Sequence, residues 1–272
     1  MSRPQPAAAA TAAEPDAPIE RVEDRGIVTL VLNRPASFNA LSDEMLDALD
    51  AALETLADEP HLHALVIAAK GRAFCAGHDL KQMRALGDED DYRALFTRCS
   101  RLMQRLQDFP VPVIARVQGL ATAAGCQLVA SCDMAVAASS ARFAVSGINV
   151  GLFCSTPAVA LSRTIAPKHA AEMLFSGEFI DAEQARDWGL INRVADDDAL
   201  DATLETLLDS LRAKSQVALR TGKAMLGRQR SLPLGQAYAF ASEVMAANMM
   251  AEDAAEGIDA FIAKRKPEWK HR

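Results

Sequence analysis

The sequence lacks an excess of positive charge, a long apolar run and any paired-cysteine motif. Its 272 residues carry a formal net charge of −7. This charge argues against a nucleic-acid or anionic-membrane surface, because both of those partners are themselves negative. No apolar run is long enough to form a membrane-spanning helix. The five cysteines contain no CxxC pair and are odd in number, which predicts reduced, buried thiols in a cytoplasmic protein.

Two enzyme signatures are also missing. No G-x-G-x-x-G follows a predicted strand, which disfavours a nucleotide-dependent dehydrogenase. No G-x-S-x-G elbow is present, which disfavours a serine hydrolase. Half of the residues are hydrophobic, so the chain can bury a sizeable core as one large domain or as a domain with an appendage.

The first eighteen residues differ in composition from the rest. They are rich in Ala and Pro and contain no apolar h-region of a signal peptide. A mitochondrial transit peptide would be rich in Arg and poor in acids, whereas this segment has only Arg3 and carries Glu14 and Asp16. We therefore predict a disordered tail over residues 1–18 and a cytoplasmic location.

Strand and helix patterns alternate over residues 19–197. Continuous apolar strands separated by helices predict an α/β fold with parallel strands and right-handed crossovers. Ser42 and Asp181 are predicted N-caps, and Gly189 is a predicted helix stop. A further helix is predicted to start with Thr156 as its N-cap and Pro157 as its first residue. The predicted strands lie at 27–32, 64–68, 113–115 and 134–137. Residues 198–272 show helical patterns, broken near 231–233.

Two segments rich in small residues carry the candidate chemistry. Residues 71–81 (GRAFCAGHDLK) follow a strand, and Gly77 allows a tight loop in which a backbone N–H points inward. Residues 119–127 (GLATAAGCQ) follow another strand and open a helix whose first N–H groups have no intrahelical acceptor. Two such N–H donors would form an oxyanion hole. The spacing alone is weak evidence, because many α/β proteins have Gly- and Ala-rich turns.

These segments resemble the enoyl-CoA hydratase/isomerase, or crotonase, superfamily. Residues 74–80 (FCAGHDL) are similar to its AFCAGADL loop, and residues 117–133 are similar to its GxxxGGGxELxxxCD segment. Residues 33–41 match its first CoA-contacting turn, and residues 182–191 match its AxEAxxxGLV helix. The order and spacing hold from about Arg21 to the C-terminus. Residues 121–127 most resemble the branch called enoyl-CoA hydratase domain-containing protein 3.

The resemblance implies a ββα spiral core over residues 19–197 and a helical trimerisation region over residues 198–272, in homotrimers that often pair into hexamers. It implies an acyl-CoA ligand. It also implies that no cofactor is bound permanently and that no metal is bound, since coenzyme A arrives as part of the thioester. The two oxyanion donors fall on the backbone N–H groups of His78 and Ala124. The implied CoA contacts are Ala40, Ala76, His78, Asp79, Leu80, Lys81 and Ala124.

The two catalytic glutamates of the family's hydratases are absent from this sequence. They position a water and move its protons, and they align here with Gln127 and Gly147. An amide cannot take up a proton near neutral pH, and glycine has no side chain. A general acid or base contributes about 10²–10⁴ in rate. We therefore expect acyl-CoA binding with weak, absent or altered hydratase activity, and we expect Gln127→Glu combined with Gly147→Glu to raise hydration.

Other side chains are candidates for the missing proton transfer. The His78 ring can titrate near neutral pH, although the favoured interpretation is that only its backbone N–H acts. Ser146 and Ser155 lie near the expected position of the second glutamate. For the remaining candidates a structural role is favoured: Asp79 as an N-cap, Asp133 as a hydrogen-bonding group, Cys154 as a buried thiol, and His61 and His63 as surface-loop residues without a third metal ligand.

Three functions remain open. The first is a lyase or isomerase of the hydratase/isomerase type in fatty acid metabolism, with altered turnover. The second is a decarboxylase or thioesterase that uses the same oxyanion hole. The methylmalonyl-CoA decarboxylase branch also lacks both glutamates and resembles residues 76–79 and 147–151, but its tyrosine aligns with Cys154. The third is a non-catalytic acyl-CoA-binding or regulatory protein.

Overall fold

The computed structural model describes residues 17–272, in which ten strands form two sheets. The larger sheet has six strands and the smaller has four. The strands are β1 (Ile19–Asp24), β2 (Ile27–Leu32), β3 (Ala64–Ala69), β4 (Ala73–Cys75), β5 (Val113–Val117), β6 (Leu120–Thr122), β7 (Met134–Ala138), β8 (Arg142–Ala144), β9 (Ile180–Asp181) and β10 (Arg193–Ala195).

The helices follow the strands in a repeating order along the chain. The α-helices are α1 (Asp43–Ala57), α2 (Leu80–Ala85), α3 (Glu89–Gln107), α4 (Ala124–Ser131), α5 (Ser155–Thr164), α6 (Pro167–Ser176), α7 (Ala182–Asp187), α8 (Leu200–Arg212), α9 (Gln216–Gln229), α10 (Leu234–Met249) and α11 (Glu252–Ile262). Short 3-10 helices lie at Pro35–Ser37, Ser146–Val150 and Asp197–Ala199.

The strand order confirms the predicted spiral of ββα turns. The larger sheet runs β1-β2-β3-β5-β7-β10 and the smaller runs β4-β6-β8-β9. Pairs are parallel except β1 with β2 and β8 with β9. After β3, β5 and β7 the chain enters the smaller sheet through β4, β6 and β8, and then a helix follows. Each turn of the spiral therefore contributes one strand to each sheet.

Strand β3 shows why the core has two parts. Its six residues are all buried, because both faces of the sheet are covered. Leu65 and Ile67 point into the main core between the sheets and helices, whereas Ala64 and Val66 pack with Leu204 of α8 on the opposite face. Full burial of each large aliphatic side chain contributes about 1.5–3 kcal/mol. Because side chains alternate along β3, one set packs in the main core and the other packs against α8 on the opposite face of the sheet.

The predicted helix boundaries are mostly confirmed. The Ser42 hydroxyl accepts a hydrogen bond from the N–H of Met45 at 3.2 Å, and Asp181 caps α7. Gly189 follows α7 with a φ of +84°, as a helix stop requires. The predicted start, with Thr156 as the N-cap and Pro157 as the first helical residue, is wrong by two residues: the N-cap is Cys154 and α5 begins at Ser155. Pro157 is accommodated because the N–H groups of a first helical turn have no intrahelical acceptor.

The two ends of the chain differ in what the structure describes. The predicted disorder of residues 1–16 lies outside the described residues. Ala17 and Pro18, which the prediction included in the tail, contact the core: the Asn33 backbone N–H donates to the Pro18 carbonyl at 2.8 Å, and the Asn33 side chain donates to the Ala17 carbonyl at 3.1 Å. From Leu200 onward the chain is helical, with a break between α9 and α10 where Ser231–Pro233 was predicted to interrupt it. No helix between residues 17 and 272 combines the length and apolar character that a bilayer crossing requires.

Candidate active site

A cavity of about 270 Å³ lies where the loops after β4 and β6 meet the segment that leads into α5. Within the described range of the chain, no Asp, Glu, Lys or Arg lines it. Among the predicted site residues, Ala76, His78, Leu80, Ala124 and Gly147 contribute to its wall. The other wall residues are Met83, Phe96, Ala123, Ser146, Val150, Leu152, Phe153, Cys154, Ser155, Thr156 and Pro157.

The first loop is tied to the turn that precedes α1. The N–H of Leu41 donates to the Gly77 carbonyl at 2.8 Å, and the N–H of Ala76 donates to the Phe38 carbonyl at 3.0 Å. The loop then enters α2, where the Asp79 carboxylate accepts from the N–H groups of Lys81 and Gln82. These bonds hold both ends of the loop, so the N–H of His78 has a defined direction. They also confirm Asp79 as an N-cap.

The second loop turns sharply into α4. Ala123 has φ +51° and ψ −121°, a conformation that costs a non-glycine residue of order 1–3 kcal/mol. The N–H of Ala124 is at the first position of the helix and has no intrahelical acceptor. A Cβ on Gly125 would lie 2.0 Å from the Cys75 carbonyl oxygen, so α4 begins in direct contact with β4. The strained turn therefore brings the start of this helix against the first loop.

The two loops approach closely at the cavity. A Cβ placed on Gly77 would lie 2.9 Å from the Cβ of Ala123 and 3.1 Å from the backbone N of Ala124. Within residues 17–272, neither the His78 nor the Ala124 N–H donates a hydrogen bond to a protein acceptor. Two adjacent N–H groups without acceptors beside a cavity can bind one oxygen that gains negative charge. Hydrophobic packing around them lowers the local dielectric and strengthens such bonds.

The His78 ring is packed rather than solvated. It contacts Phe96 edge-on, with ring centroids 5.7 Å apart. Neither ring nitrogen has a hydrogen-bond partner in the described part of the chain. Burial lowers the pKa of the imidazole, although the nearby Leu41 backbone opposes this shift. The ring is therefore neutral at physiological pH, and a part for it in proton transfer stays a hypothesis.

The residues aligned with the two glutamates lie in different surroundings. Gln127 is 4% exposed in α4, its Oε1 has no hydrogen-bond partner, and it does not contribute to the cavity wall. Gly147 is in the wall, but a Cβ there would lie 2.6 Å from the Leu152 carbonyl oxygen and 2.7 Å from Cys154 Sγ. The Leu152 N–H also donates to the Gly147 carbonyl at 3.0 Å. The chain itself thus occupies the place of a side chain at Gly147, and Gly147→Glu would require Leu152 or Cys154 to move; the expected gain in hydration stays a prediction.

The contacts of three further candidates, Cys154, Asp133 and His63, indicate structural roles. Burial raises the pKa of the Cys154 thiol, although a hydrogen bond with the Gly147 backbone opposes this, so the thiol is poorly suited to attack a substrate. The Asp133 carboxylate accepts from the N–H of Val113 at 2.7 Å and from Lys223 Nζ at 2.5 Å, which confirms a structural role. His63 Nδ1 contacts the amide of Gln216 at 3.0 Å, and no group of three or more His, Cys, Asp or Glu between residues 17 and 272 could hold a metal ion.

The predicted CoA contacts are only partly at the cavity. Ala40 lies in the turn before α1, outside the wall residues, and Lys81 is exposed on the first turn of α2. Asp79 lines a neighbouring cleft between α1, α2 and α3. His78 and Met83 line both the cavity and this cleft, so the two are neighbours across the first loop and α2.

Two features of the site were missed by the sequence analysis. Asn39 is fully buried with φ +52°, and its amide donates to the carbonyls of Lys70 and Ala73 at 2.9 and 2.8 Å. It fixes the start of the loop that carries His78, and an Asn in a tight turn is a signal that could have indicated this. The second feature is a hydrogen bond of 2.8 Å between the hydroxyls of Thr122 and Ser146, which are 24 residues apart in the sequence.

Comparison with known proteins decides the family. A family model described as enoyl-CoA hydratase/isomerase matches residues 22–272. The chain belongs to the enoyl-CoA hydratase/isomerase family. It is 45% identical over 249 residues to the mitochondrial enoyl-CoA hydratase domain-containing protein 3 of Xenopus laevis, covering 92% of this chain and 85% of that protein. The predicted branch is thereby confirmed.

Solved structures of family members have the same fold. An enoyl-CoA hydratase of Mycobacterium smegmatis matches with a TM-score of 0.92 at 55% identity, covering 93% of this chain and 98% of that one. Human enoyl-CoA hydratase domain-containing protein 3 matches with a TM-score of 0.90 at 43% identity, covering 93% and 100%. These matches confirm the crotonase fold and support a general function on acyl-CoA thioesters.

The predicted cytoplasmic location is wrong by the same comparison. The names of the relatives from Xenopus laevis, Mus musculus and Homo sapiens all include the word mitochondrial. The prediction depended on the unpaired cysteines, which do not distinguish reducing compartments, and on the average composition of residues 1–18. Composition does not describe the amphipathic arrangement through which a transit peptide is recognised, so it was a poor basis for this conclusion.

Proposed function

We propose that the chain binds an acyl-CoA thioester through the backbone N–H groups of His78 and Ala124, as a hydratase/isomerase-type enzyme with weak or altered hydration. The observation that carries this proposal is the close approach of two loops whose N–H groups have no protein acceptor and lie at one cavity. The thioester oxygen would accept from both groups.

The chemistry of this pair follows from where charge develops. When a proton or neutral CO₂ leaves the acyl α-carbon, the bonding electrons stay behind, move toward the thioester oxygen and give an enolate-like transition state. Each fixed N–H donor at that oxygen is worth about 10²–10³ in rate. Because the donors belong to the backbone, His78 and Ala124 can supply them although neither side chain is acidic.

The side chains at the site are poorly suited to proton transfer. The cavity wall contains two titratable side chains, His78 and Cys154, within the part of the chain that the structure describes. The imidazole nitrogens are enclosed by protein, and burial raises the pKa of the thiol. Without the two carboxylates, hydration should lose about 10²–10⁴ for each missing acid or base.

A paired-ligand titration tests the oxyanion contact. Butyryl-CoA and its thioether analogue S-butyl-CoA differ mainly in the thioester oxygen, so calorimetry with both isolates the contribution of that oxygen. We expect butyryl-CoA to bind more tightly. Equal affinities would exclude a hydrogen bond from His78 or Ala124 to the thioester, and hydration of crotonyl-CoA at ordinary family rates would refute the proposed loss of turnover.

Decarboxylation is the second candidate, and the uncharged wall of the cavity favours it. A carboxylate on the acyl group would be desolvated there without a cationic partner. Breaking its bond to the α-carbon releases neutral CO₂ and moves the electron pair and its charge to the thioester oxygen, so the enolate forms without a base. Turnover of malonyl-CoA and methylmalonyl-CoA should be measured beside crotonyl-CoA. Binding without turnover on any of these thioesters would instead support a non-catalytic, regulatory protein.

We also propose that helices α10 and α11 form an interface between copies of this chain. No residue of α10 is buried, although the helix carries large apolar side chains. Tyr238, Met245 and Phe261 are 70%, 72% and 85% exposed. Apolar exposure of this extent is typical of an oligomer interface, which agrees with the trimer or hexamer that the family resemblance implies. Light scattering on the purified protein would measure the mass, and a monomer would contradict this proposal.

A further inference from the structure

A pair of hydroxyl groups lies beside the proposed oxyanion site, and one of the two residues, Ser146, belongs to the cavity wall. Thr122 Oγ1 and Ser146 Oγ lie 2.8 Å apart. Ser146 belongs to the cavity wall, and Thr122 is 8% exposed at the end of β6, directly before Ala123. The pair therefore lies at the cavity and two residues from the backbone N–H of Ala124.

The pair has unused hydrogen-bonding capacity. Two hydroxyls have two protons between them, and their mutual bond uses only one. No other hydrogen bond is made by either hydroxyl to any residue between 17 and 272. By contrast Ser155, another wall residue, directs its hydroxyl to the Phe153 carbonyl at 3.4 Å. One donor and several lone pairs of the Thr122–Ser146 pair are thus available to a ligand.

A purely structural role does not require this bond. It would join β6 to the 3-10 helix at Ser146–Val150, but the Ala123 N–H already donates to the Ala144 carbonyl at 3.0 Å and β6 pairs with β8. The backbone therefore holds these segments together without the hydroxyls. A hydroxyl pair with unused hydrogen-bonding capacity, beside a wall without charged side chains, is better explained by a polar atom on the ligand.

We infer that the Ser146 hydroxyl, held in place by Thr122, selects an acyl group that carries an oxygen close to its thioester carbonyl, such as a 3-hydroxyacyl or 3-oxoacyl group. This inference rests on the proposed acyl-CoA binding. With the carbonyl oxygen at Ala124, the acyl carbons next to it pass the hydroxyl pair. A neutral hydroxyl both donates and accepts, so it suits an alcohol or a ketone and offers no charge to a carboxylate.

Matched four-carbon ligands test this selectivity. Butyryl-CoA, 3-hydroxybutyryl-CoA and acetoacetyl-CoA share the coenzyme and the chain length and differ at the third acyl carbon. One neutral hydrogen bond should make the two oxygenated ligands bind about 2- to 12-fold more tightly than butyryl-CoA in calorimetry. Ser146→Ala should abolish this preference while leaving the affinity for butyryl-CoA, and Thr122→Val should reduce it. Ser162→Ala, in an exposed serine of α5, is the control and should change neither value.

The outcomes separate the two proposals. No preference in the unaltered protein, or a preference that survives Ser146→Ala, would overturn the inference. Equal weakening of butyryl-CoA and 3-hydroxybutyryl-CoA by Ser146→Ala would also overturn it, because a structural bond affects both ligands alike. If none of the three thioesters binds the unaltered protein, the proposed function itself fails. Thermal unfolding of each variant confirms that it is folded before the titration.

Discussion

Replacing Gly77 by alanine tests the approach of the two loops on which the proposed site depends. Gly77 has φ +89°, and an added Cβ would lie 2.9 Å from the Cβ of Ala123, 3.1 Å from the N of Ala124 and 3.1 Å from the carbonyl oxygen of Thr122. Gly189 has a similar φ of +84° and nothing within 4 Å of an added Cβ. Gly189→Ala is therefore a matched control for the backbone conformation alone.

The expected magnitudes differ for these two variants. A left-handed backbone costs a non-glycine residue about 1–2 kcal/mol, so Gly189→Ala should lower the free energy of unfolding by about that amount. Overpacking adds about 1–3 kcal/mol at Gly77, because the backbone of β6 and α4 cannot rotate away. The total for Gly77→Ala is about 2–5 kcal/mol. The structure can reduce this only by moving the Ala124 N–H away from His78.

Urea denaturation and a butyryl-CoA titration measure the two consequences. We expect Gly77→Ala to lower both stability and affinity, the latter by about tenfold, since one oxyanion hydrogen bond is lost and the other is misdirected. Gly189→Ala should keep the affinity of the unaltered protein. Equal losses of stability in the two variants would show that the loops are not in contact, and undiminished affinity in Gly77→Ala would show that their contact does not form the binding site.

Three further predictions concern stability. Gly147→Ala should lower the free energy of unfolding by about 1–3 kcal/mol, because the added methyl group would meet the Leu152 carbonyl, and thermal unfolding measures this loss. Lys223→Met should cost about 2–4 kcal/mol in urea denaturation, since it leaves the carboxylate of Asp133 without its buried ammonium partner. Burial, with a contribution from the charge of His271, lowers the pKa of His63 below its usual 6.5. The unfolded chain then binds the proton first, so stability should fall as the pH decreases below about 6.5, and His63→Gln should reduce that fall in denaturation curves at about pH 5.5 and 7.5.

Each of these predictions has a comparison protein, either a matched variant or the unaltered protein. Gly222 lies in α9 with nothing within 4 Å of an added Cβ, so Gly222→Ala should stabilise by about 0.5–1 kcal/mol, and destabilisation like that of Gly147→Ala would contradict the steric argument. Lys168 is exposed, and Lys168→Met should change stability by less than about 0.5 kcal/mol. For His63→Gln the unaltered protein is the comparison, and an equal fall in stability between about pH 7.5 and 5.5 in both proteins would show that His63 does not cause it.

Local features of this protein could be predicted because their partners are near in sequence. The side chains of Ser42, Asp79 and Asp181 each accept from an N–H two or three residues ahead, and such caps depend on little else. The apolar strands and the two loops rich in small residues were also readable, since a strand buried on both faces needs a continuous apolar run. Where the prediction of a helix start failed, at Thr156, the error was two residues, and the exact ends of helices are the least defined part of such an assignment.

Contacts between distant segments could not be predicted in the same way. Nothing near Gly147 in the sequence indicates that the Leu152 carbonyl and Cys154 fill the place of a side chain, because that depends on how the 3-10 helix folds back. The pairing of Asp133 with Lys223 joins residues 90 positions apart. The expectation that two glutamates would restore hydration, which stays a prediction, took no account of these contacts at Gly147.

The order of residues alone predicted the α/β class, because caps, strand patterns and glycine-dependent turns are encoded over a few neighbouring residues. Its motifs also indicated the family by resemblance, and that resemblance pointed to the two positions whose N–H groups form the proposed site. The folded arrangement alone established how close Gly77 comes to Ala124, that Gly147 has no room for a side chain, and that the hydroxyls of Thr122 and Ser146 meet at the cavity. Distances of this kind depend on the packing of whole strands and helices against each other, which no short stretch of sequence contains.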